Sequence, residues 1–387
     1  MTTSTILQGD VREVLPTLDA GSVQCVVTSP PYWGLRDYGV KGQIGLEPTP
    51  EKYVTTMVEV FREVRRVLRD DGTVWLNLGD SYSSSGGMTS DYGPNAQCGN
   101  TLAQVDPRTK SGARKMENLP PKNLVGIPWR VAFALQADGW YLRSDIIWAK
   151  GVSFCPNYSG SVMPEPVTDR PTKSHEYLFL LTTSPRYYYD ADAVREKGKD
   201  WTKGGPGVGI KETQHYGAKN GRNLRSVWTI NTQSYSAAHF ATFPTALVEP
   251  CVKAGTSVKG CCSACGSPMR REVERIGGPS TKAARQKMID KNTARGLTLG
   301  NTAIQYSTAI AQSRGAYKKT IRWKHSCNCG TDKVTPCVVL DPFAGSGTVG
   351  CVALKLGRTF VGIELNPEYC TLARNSIDGP LFAQDTR

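Results

Sequence analysis

Acidic residues are scarce in this chain. Its 387 residues carry 34 Asp and Glu against 47 Lys and Arg, a formal net charge of +13. That balance argues against an acidic surface for basic partners and for a polyanionic partner, nucleic acid first and an acidic membrane surface second. Long apolar runs are missing as well. No stretch reaches the roughly 20 residues of a membrane-spanning helix, and residues 1–7 lack the basic stretch and apolar core of a secretion signal. The expectation is a soluble cytoplasmic protein that makes no membrane contact. In a reducing compartment the twelve cysteines do not form a disulfide framework. Most of them are expected to be small buried hydrophobes. Internal repeats are absent too.

What is present reads as an alternating α/β chain. Residues 23–27, 73–78, 145–149, 177–182, 338–340 and 359–363 are short apolar runs of strand length. Helical spacing covers 53–68, with Val54, Met57, Val58, Phe61, Val64 and Leu68 on one side and Gly72 as the stop. It also covers 123–137, with Leu124, Ile127, Val131 and Leu135 inward, and about 348–356. This alternation predicts a doubly wound, mostly parallel, Rossmann-like sheet. Three stretches fall outside the pattern: 81–121 (Ser, Gly, Asn, Pro), 195–225 (Gly, Lys) and 270–324. The last holds thirteen Lys and Arg against three acidic residues, most of the chain's excess charge.

Gly345-Ser346-Gly347-Thr348-Val349-Gly350 fits Gly-x-Gly-x-x-Gly between a strand and a helix, and Glu364 ends the next strand about 20 residues on. Glycines let the backbone approach a ligand, and the spaced carboxylate can hold ribose hydroxyls. A dinucleotide or an adenosyl cofactor fits. No Gly-Lys-Ser/Thr follows, which excludes an NTP phosphate loop. Only 23 residues follow Glu364, so the other strands of the sheet must come from before Val338. The cofactor unit would then be late in sequence and central in space.

Thr28-Ser29-Pro30-Pro31-Tyr32-Trp33 follows the strand at 23–27. Two prolines remove two N–H donors, leaving carbonyls and the Ser29 hydroxyl as acceptors beside the flat faces of Tyr32 and Trp33. That set suits an aromatic amine. The lone pair of such an amine is delocalised into its ring. Acceptors on its hydrogens restore nitrogen nucleophilicity, and positioning does the rest.

With both loops in view, the chain resembles the DNA amino-methyltransferases that use S-adenosylmethionine, in the permuted subgroup whose catalytic loop precedes the cofactor loop. Ser-Pro-Pro-Tyr is the form typical of N4-cytosine enzymes; N6-adenine enzymes usually carry Asp or Asn in place of Ser29. The resemblance implies site-specific methylation of double-stranded DNA, with the base swung out of the duplex. Ser29, Pro30, Pro31 and Tyr32 would be the catalytic residues. The cofactor set would be Asp10, Thr28, His239, Phe240, Phe243, Pro244, Asp341, Pro342, Phe343, Gly345, Gly347, Thr348, Glu364 and Asn366. Within it, Gly9-Asp10 would serve the adenine side and 239–244 would close the methionine pocket. Residues 170–177 also look like a family run. His175 and His239 receive no general-base role, since the proton can leave to solvent. Cysteine-nucleophile chemistry is set aside, because Ser29 occupies the catalytic position and neither Pro250-Cys251 nor Pro336-Cys337 follows an apparent catalytic strand. The resemblance leaves room for a homodimer and for a cognate restriction endonuclease.

Cys262-Ser263-Ala264-Cys265 and Cys327-Asn328-Cys329 bracket the basic stretch. Four thiolates suit a tetrahedral structural zinc, with Cys261 or His325 as substitutes. The second doublet has one intervening residue instead of two, and the gap of 61 residues is long for a zinc ribbon. Unliganded thiols are the alternative. The expected organisation is a methyltransferase domain of 1–250 and 336–387, with 81–121 and 195–225 as DNA-recognition loops. A basic, cysteine-flanked, zinc-ribbon-like insertion spans 251–335. Three other functions stay open: adenine-N6 methylation, a NAD-dependent oxidoreductase, and a zinc DNA-binding protein without catalysis.

Overall fold

Eight strands form one sheet in the computed structural model, which describes residues 2–35, 37–83, 119–151, 167–197, 221–232, 244–276, 290 and 317–379. The strands are β1 (Ser4–Gln8), β2 (Val23–Thr28), β3 (Leu68–Leu78), β4 (Tyr141–Ala149), β5 (His175–Thr182), β6 (Val227–Thr229), β11 (Val338–Asp341) and β12 (Thr359–Glu364). Their order across the sheet is β1-β12-β11-β2-β3-β5-β4-β6. β5 runs against both of its neighbours, and every other adjacent pair is parallel. The last strand–helix–strand unit of the sequence therefore lies inside the sheet, between β1 and β2.

Alternation along the central strands explains why the sheet is covered twice. In β3, Val74, Leu76 and Leu78 point into one core and Trp75 into the other; in β2, Val26 and Val27 divide the same way. On the first face lie α1 (Val11–Val14), α2 (Pro50–Val67) and α3 (Ile127–Ala137). The second face carries α4 (Thr245–Gly255) and α5 (Thr348–Lys355), with Ile377 of α6 (Pro367–Asp378) against them. Helix α2 starts where Thr49 accepts from the Lys52 amide and Pro50 takes the first turn. It buries Tyr53, Met57, Val60, Phe61, Val64 and Val67 at helical spacing.

Some expectations shift. Helix α3 begins at Ile127, not 123, because Gly126 has φ +77° and Pro128 occupies the first turn; Leu124 is consequently half exposed. Helix α2 ends at Val67, and Gly72 belongs to a bulged part of β3. Only Ile146 and Trp148 are buried within β4. Among the described residues, no helix is long and apolar enough to cross a membrane.

The basic stretch is not irregular at its ends. β8 (Arg270–Ile276) and β9 (Tyr317–Lys324) pair as an antiparallel ladder. β7 (Cys261–Cys262) pairs with β10 (Val334–Thr335) at its root. That root sits where strands begin: Gln24 of β2 donates to the Gly266 carbonyl and accepts from Val338 N, and Arg69 of β3 donates to the Cys265 carbonyl. The insertion thus springs from the sheet edge opposite the carboxyl ends of β2, β3 and β11.

Candidate active site

At those carboxyl ends, residues far apart in sequence meet. β11 and β2 are parallel neighbours, so Asp341 and Thr28 finish side by side. The Thr28 hydroxyl donates to Asp341 Oδ1 at 2.7 Å, and both residues are buried. The amide of Phe343 donates to the same oxygen at 3.0 Å. One carboxylate oxygen thereby ties the start of the glycine loop to the residue before Ser29. Burial pushes the Asp341 carboxyl up to about 7, against the lowering effect of these two hydrogen bonds; Glu364 raises it further.

The glycine loop itself is set by Glu364. Its Oε2 accepts from Gly345 N and its Oε1 from Asn366 N, each at 2.8 Å. Gly347 precedes the first turn of α5 with φ +80°, and a Cβ there would lie 3.0 Å from Ala373 Cα. Only glycine meets both conditions without strain. Thr348 opens α5, with its hydroxyl 3.3 Å from that of Ser346. Register pairs Gln8 with Glu364, and the Gly9 amide donates to the Glu364 carbonyl at 2.9 Å. Asp10, one residue on, caps α1 and pairs with Arg12, whose guanidinium holds its carboxyl below the usual range. Asn366 caps α6 through Glu368 N at 2.8 Å. Asp10, Thr28, Asp341, Pro342, Phe343, Gly345, Gly347, Thr348, Glu364 and Asn366 therefore gather around the carboxyl ends of β1, β12, β11 and β2. Pro244 is the residue that precedes α4. His239, Phe240 and Phe243 lie outside the described residues.

The Ser-Pro-Pro-Tyr loop sits next in the row. Ser29 Oγ is 3.2 Å from Tyr32 Oη and 3.3 Å from Asn77 Oδ1. The Tyr32 phenol has one proton to share between Glu176 Oε2 at 2.7 Å and Asn77 Oδ1 at 3.0 Å. Burial, and after it the Glu176 carboxylate, raises the phenol's pKa well above its usual range, so it stays protonated. Lys150 pairs with the other oxygen of Glu176. The Tyr32 ring packs against Gly79, just past the end of β3: a Cβ there would lie 2.5 Å from a ring carbon. The Pro31 carbonyl is used by the Tyr53 hydroxyl at 2.9 Å, and Trp33 is buried with its indole N–H on the Glu47 carbonyl. Trp33 is therefore a structural anchor, which leaves Tyr32 as the aromatic side chain beside Ser29. Asn77 and Lys150 were not singled out from sequence, and Glu176 entered only as part of the run 170–177. The signal was their position: each lies at or beside a strand end, on the side of the sheet where Ser29 sits.

Cys262, Cys265, Cys327 and Cys329 also converge, with all four sulfurs within 4.8 Å of one another. A tetrahedral zinc with Zn–S near 2.3 Å needs sulfurs about 3.8 Å apart. The cluster fits that size, and an all-thiolate set suits zinc over hard cations. Gly266, at φ +69°, turns the Cys262–Cys265 knuckle by donating to the Cys262 carbonyl at 2.8 Å.

A profile of the DNA methylase family matches residues 23–262 and 336–375. The chain is 40% identical over 376 residues to the Type II methyltransferase M.Cfr9I of Citrobacter freundii, covering 97% of this chain and 88% of that one. It is 39% identical over 372 residues to M.SmaI of Serratia marcescens, covering 96% and 90%. The chain belongs to the DNA methylase family. The fold of this DNA methylase is similar to that of the PvuII DNA methyltransferase (cytosine-N4-specific), with a TM-score of 0.50, 15% identity, and 97% and 86% of the two chains covered. The methylase profile breaks between 262 and 336, which is where the cysteine-flanked insertion lies.

Proposed function

We propose that this DNA methylase transfers a methyl group from S-adenosylmethionine to the exocyclic N4 of cytosine at a specific sequence in double-stranded DNA. The observation that carries the reading is the buried Thr28–Asp341 hydrogen bond, which fixes the glycine loop beside Ser29. Gly345, Gly347 and Glu364 form the cradle suited to an adenosyl cofactor, which supplies an electrophilic sulfonium methyl when bound. Ser29 Oγ and the Pro30 carbonyl then serve as acceptors for the amine hydrogens of an extruded base, and Tyr32 offers the stacking face. The placement of the late strand–helix–strand unit between β1 and β2 supports a circularly permuted order. The break in the family match supports an insertion over 263–335, which begins after α4 and not at 251, and the four convergent thiols support a structural zinc at its root.

The test is incubation with duplex DNA and labelled cofactor, followed by mass spectrometry of the nucleosides. N4-methylcytosine is the expected product. N6-methyladenine would move the target to adenine, and no methylated nucleoside would reject the reading.

A pH dependence follows from Asp341, whose buried carboxyl is half protonated near pH 7. S-adenosylmethionine is cationic at its sulfonium and favours the ionised carboxylate. Affinity therefore rises with pH through that value, by about eightfold between about pH 6 and 7.5 if only the ionised form binds. Isothermal titration across this range should show the slope in the parent and its loss in Asp341→Asn. A slope that persists unchanged in the variant assigns it to another group.

A further inference from the structure

Beside the base pocket lies an ammonium group for which the methyl-transfer chemistry above has no use. Lys173 precedes β5 by two residues, and its Nζ is buried without a hydrogen-bond partner among the described residues. Two carboxylates act on it through charge, Asp80 and Glu176, and each also accepts hydrogen bonds from other groups. Asp80 Oδ1 accepts from the backbone amides of Ser81, Gly126 and Ile127 at 2.9, 2.9 and 3.0 Å, which caps the entry to α3. Glu176 takes Tyr32 on one oxygen and Lys150 on the other. The remaining close charges, Lys150 and Arg170, are positive, and Arg170 lies over the Tyr82 ring at 4.0 Å.

An unpartnered buried ammonium is costly to keep. Burial pushes the Lys173 amine down from its usual range. In the free protein the charges of Asp80 and Glu176 offset part of that cost, but no hydrogen bond from the described residues does. An acceptor that arrives later supplies it. The location says which acceptor: Glu176 holds Tyr32, and Tyr32 lies 3.2 Å from Ser29 Oγ.

We propose that Lys173 is a substrate-binding residue, its ammonium reserved for an oxygen of the extruded nucleotide, either a backbone phosphate or the base carbonyl. The proposal rests on the function proposed above, and it adds a contact that neither the acceptor loop nor the cofactor cradle supplies.

Lys173→Met keeps the length of the side chain and removes the charge. Two measurements on the full chain decide the matter. The first is kcat/KM on a duplex containing the target. It is expected to fall about 10- to 100-fold, the loss typical of one hydrogen bond to a charged group. The second is Tm, expected to stay level or rise, because an unsatisfied buried charge has been replaced by an apolar group of similar shape. A lysine serving the fold would show the reverse: lower Tm, with activity lost only in proportion to unfolded protein. A methylphosphonate placed 5′ to the target separates the two sources of oxygen. If phosphate is the partner, it costs the parent as much as the substitution does and costs the variant nothing more. If the base carbonyl is the partner, the two losses multiply. A variant within about threefold of the parent, or one whose activity loss tracks a lowered Tm, overturns the proposal. A parent that methylates no DNA overturns the proposed function itself, a result distinct from either.

Discussion

Ser29→Ala is expected to lower the single-turnover rate of methyl transfer about 100- to 1000-fold, with cofactor affinity unchanged within about twofold. The magnitude is that of removing one positioned hydrogen-bonding group from a transition state. An exocyclic amine gains nucleophilicity as its hydrogens are drawn onto acceptors and its nitrogen becomes tetrahedral. That contact strengthens along the reaction coordinate, so its removal lowers kcat more than it raises KM. The fold should survive. The Tyr32 phenol keeps Glu176 Oε2 at 2.7 Å, and the Asn77 side-chain amide still donates to the Tyr177 carbonyl at 3.1 Å. Ser29→Asp retains an acceptor and should keep a measurable part of the rate. Thr28→Val is the contrasting control. It cuts the tie to Asp341, leaves a buried carboxyl short of one donor, and should weaken cofactor binding as well as rate. Rapid-quench methylation assays with saturating cofactor separate these outcomes. A Ser29→Ala protein with the parental rate would remove the acceptor loop from the chemistry.

Legibility in the sequence followed the range of each interaction. Strands β2, β11 and β12 read correctly because their apolar runs are short and bounded by proline or glycine. The turn at Gly345 and Gly347 and the strand-end place of Glu364 were legible because a tight strand-to-helix turn and a strand end are local features. The joining of Thr28 to Asp341 could be expected but not seen, since it depends on which strands become neighbours. The reversal of β5 was invisible for the same reason: its side chains alternate alike in either direction. Asn77 and Glu176 look in sequence like an ordinary strand asparagine and an ordinary acid. Their role appears only where β3 and β5 bring them to Tyr32. Trp33 shows the opposite error. It reads as a second stacking face and proves to be buried on Glu47. The cysteines joined across 61 residues because β8 and β9 pair and close the gap from within, an arrangement that composition hid behind thirteen basic residues.

Removal of zinc is expected to release the insertion while leaving the sheet intact. Purified protein should carry about one zinc per chain by elemental mass spectrometry. Among the described residues the insertion meets the body through few contacts. Arg271 pairs with Asp190 at 2.9 and 3.0 Å and Arg270 lies 5.4 Å from the centre of the Tyr188 ring, while Arg69 and Gln24 hold the knuckle. A charge-assisted pair contributes about 1.5–3 kcal/mol, and a structural zinc on the order of 10 kcal/mol of apparent binding free energy. A zinc bound there would therefore stabilise the root more than the ion pair does. Chelation, or Cys327→Ser, should raise amide exchange by more than about tenfold in β7 to β10. Exchange in the middle of β2 and β11 should stay as it was, because local opening does not spread through a sheet covered on both faces. Cofactor affinity should also hold within about twofold, since the knuckle touches the beginnings of β2 and β3 and the cradle lies at the ends of β11 and β12. Protein with almost no bound metal, or exchange in β8 and β9 that ignores chelation, would mean that the four thiols meet for packing alone. In that case Arg271 and Asp190 would have to hold the hairpin, and Asp190→Asn would release it in place of the chelator.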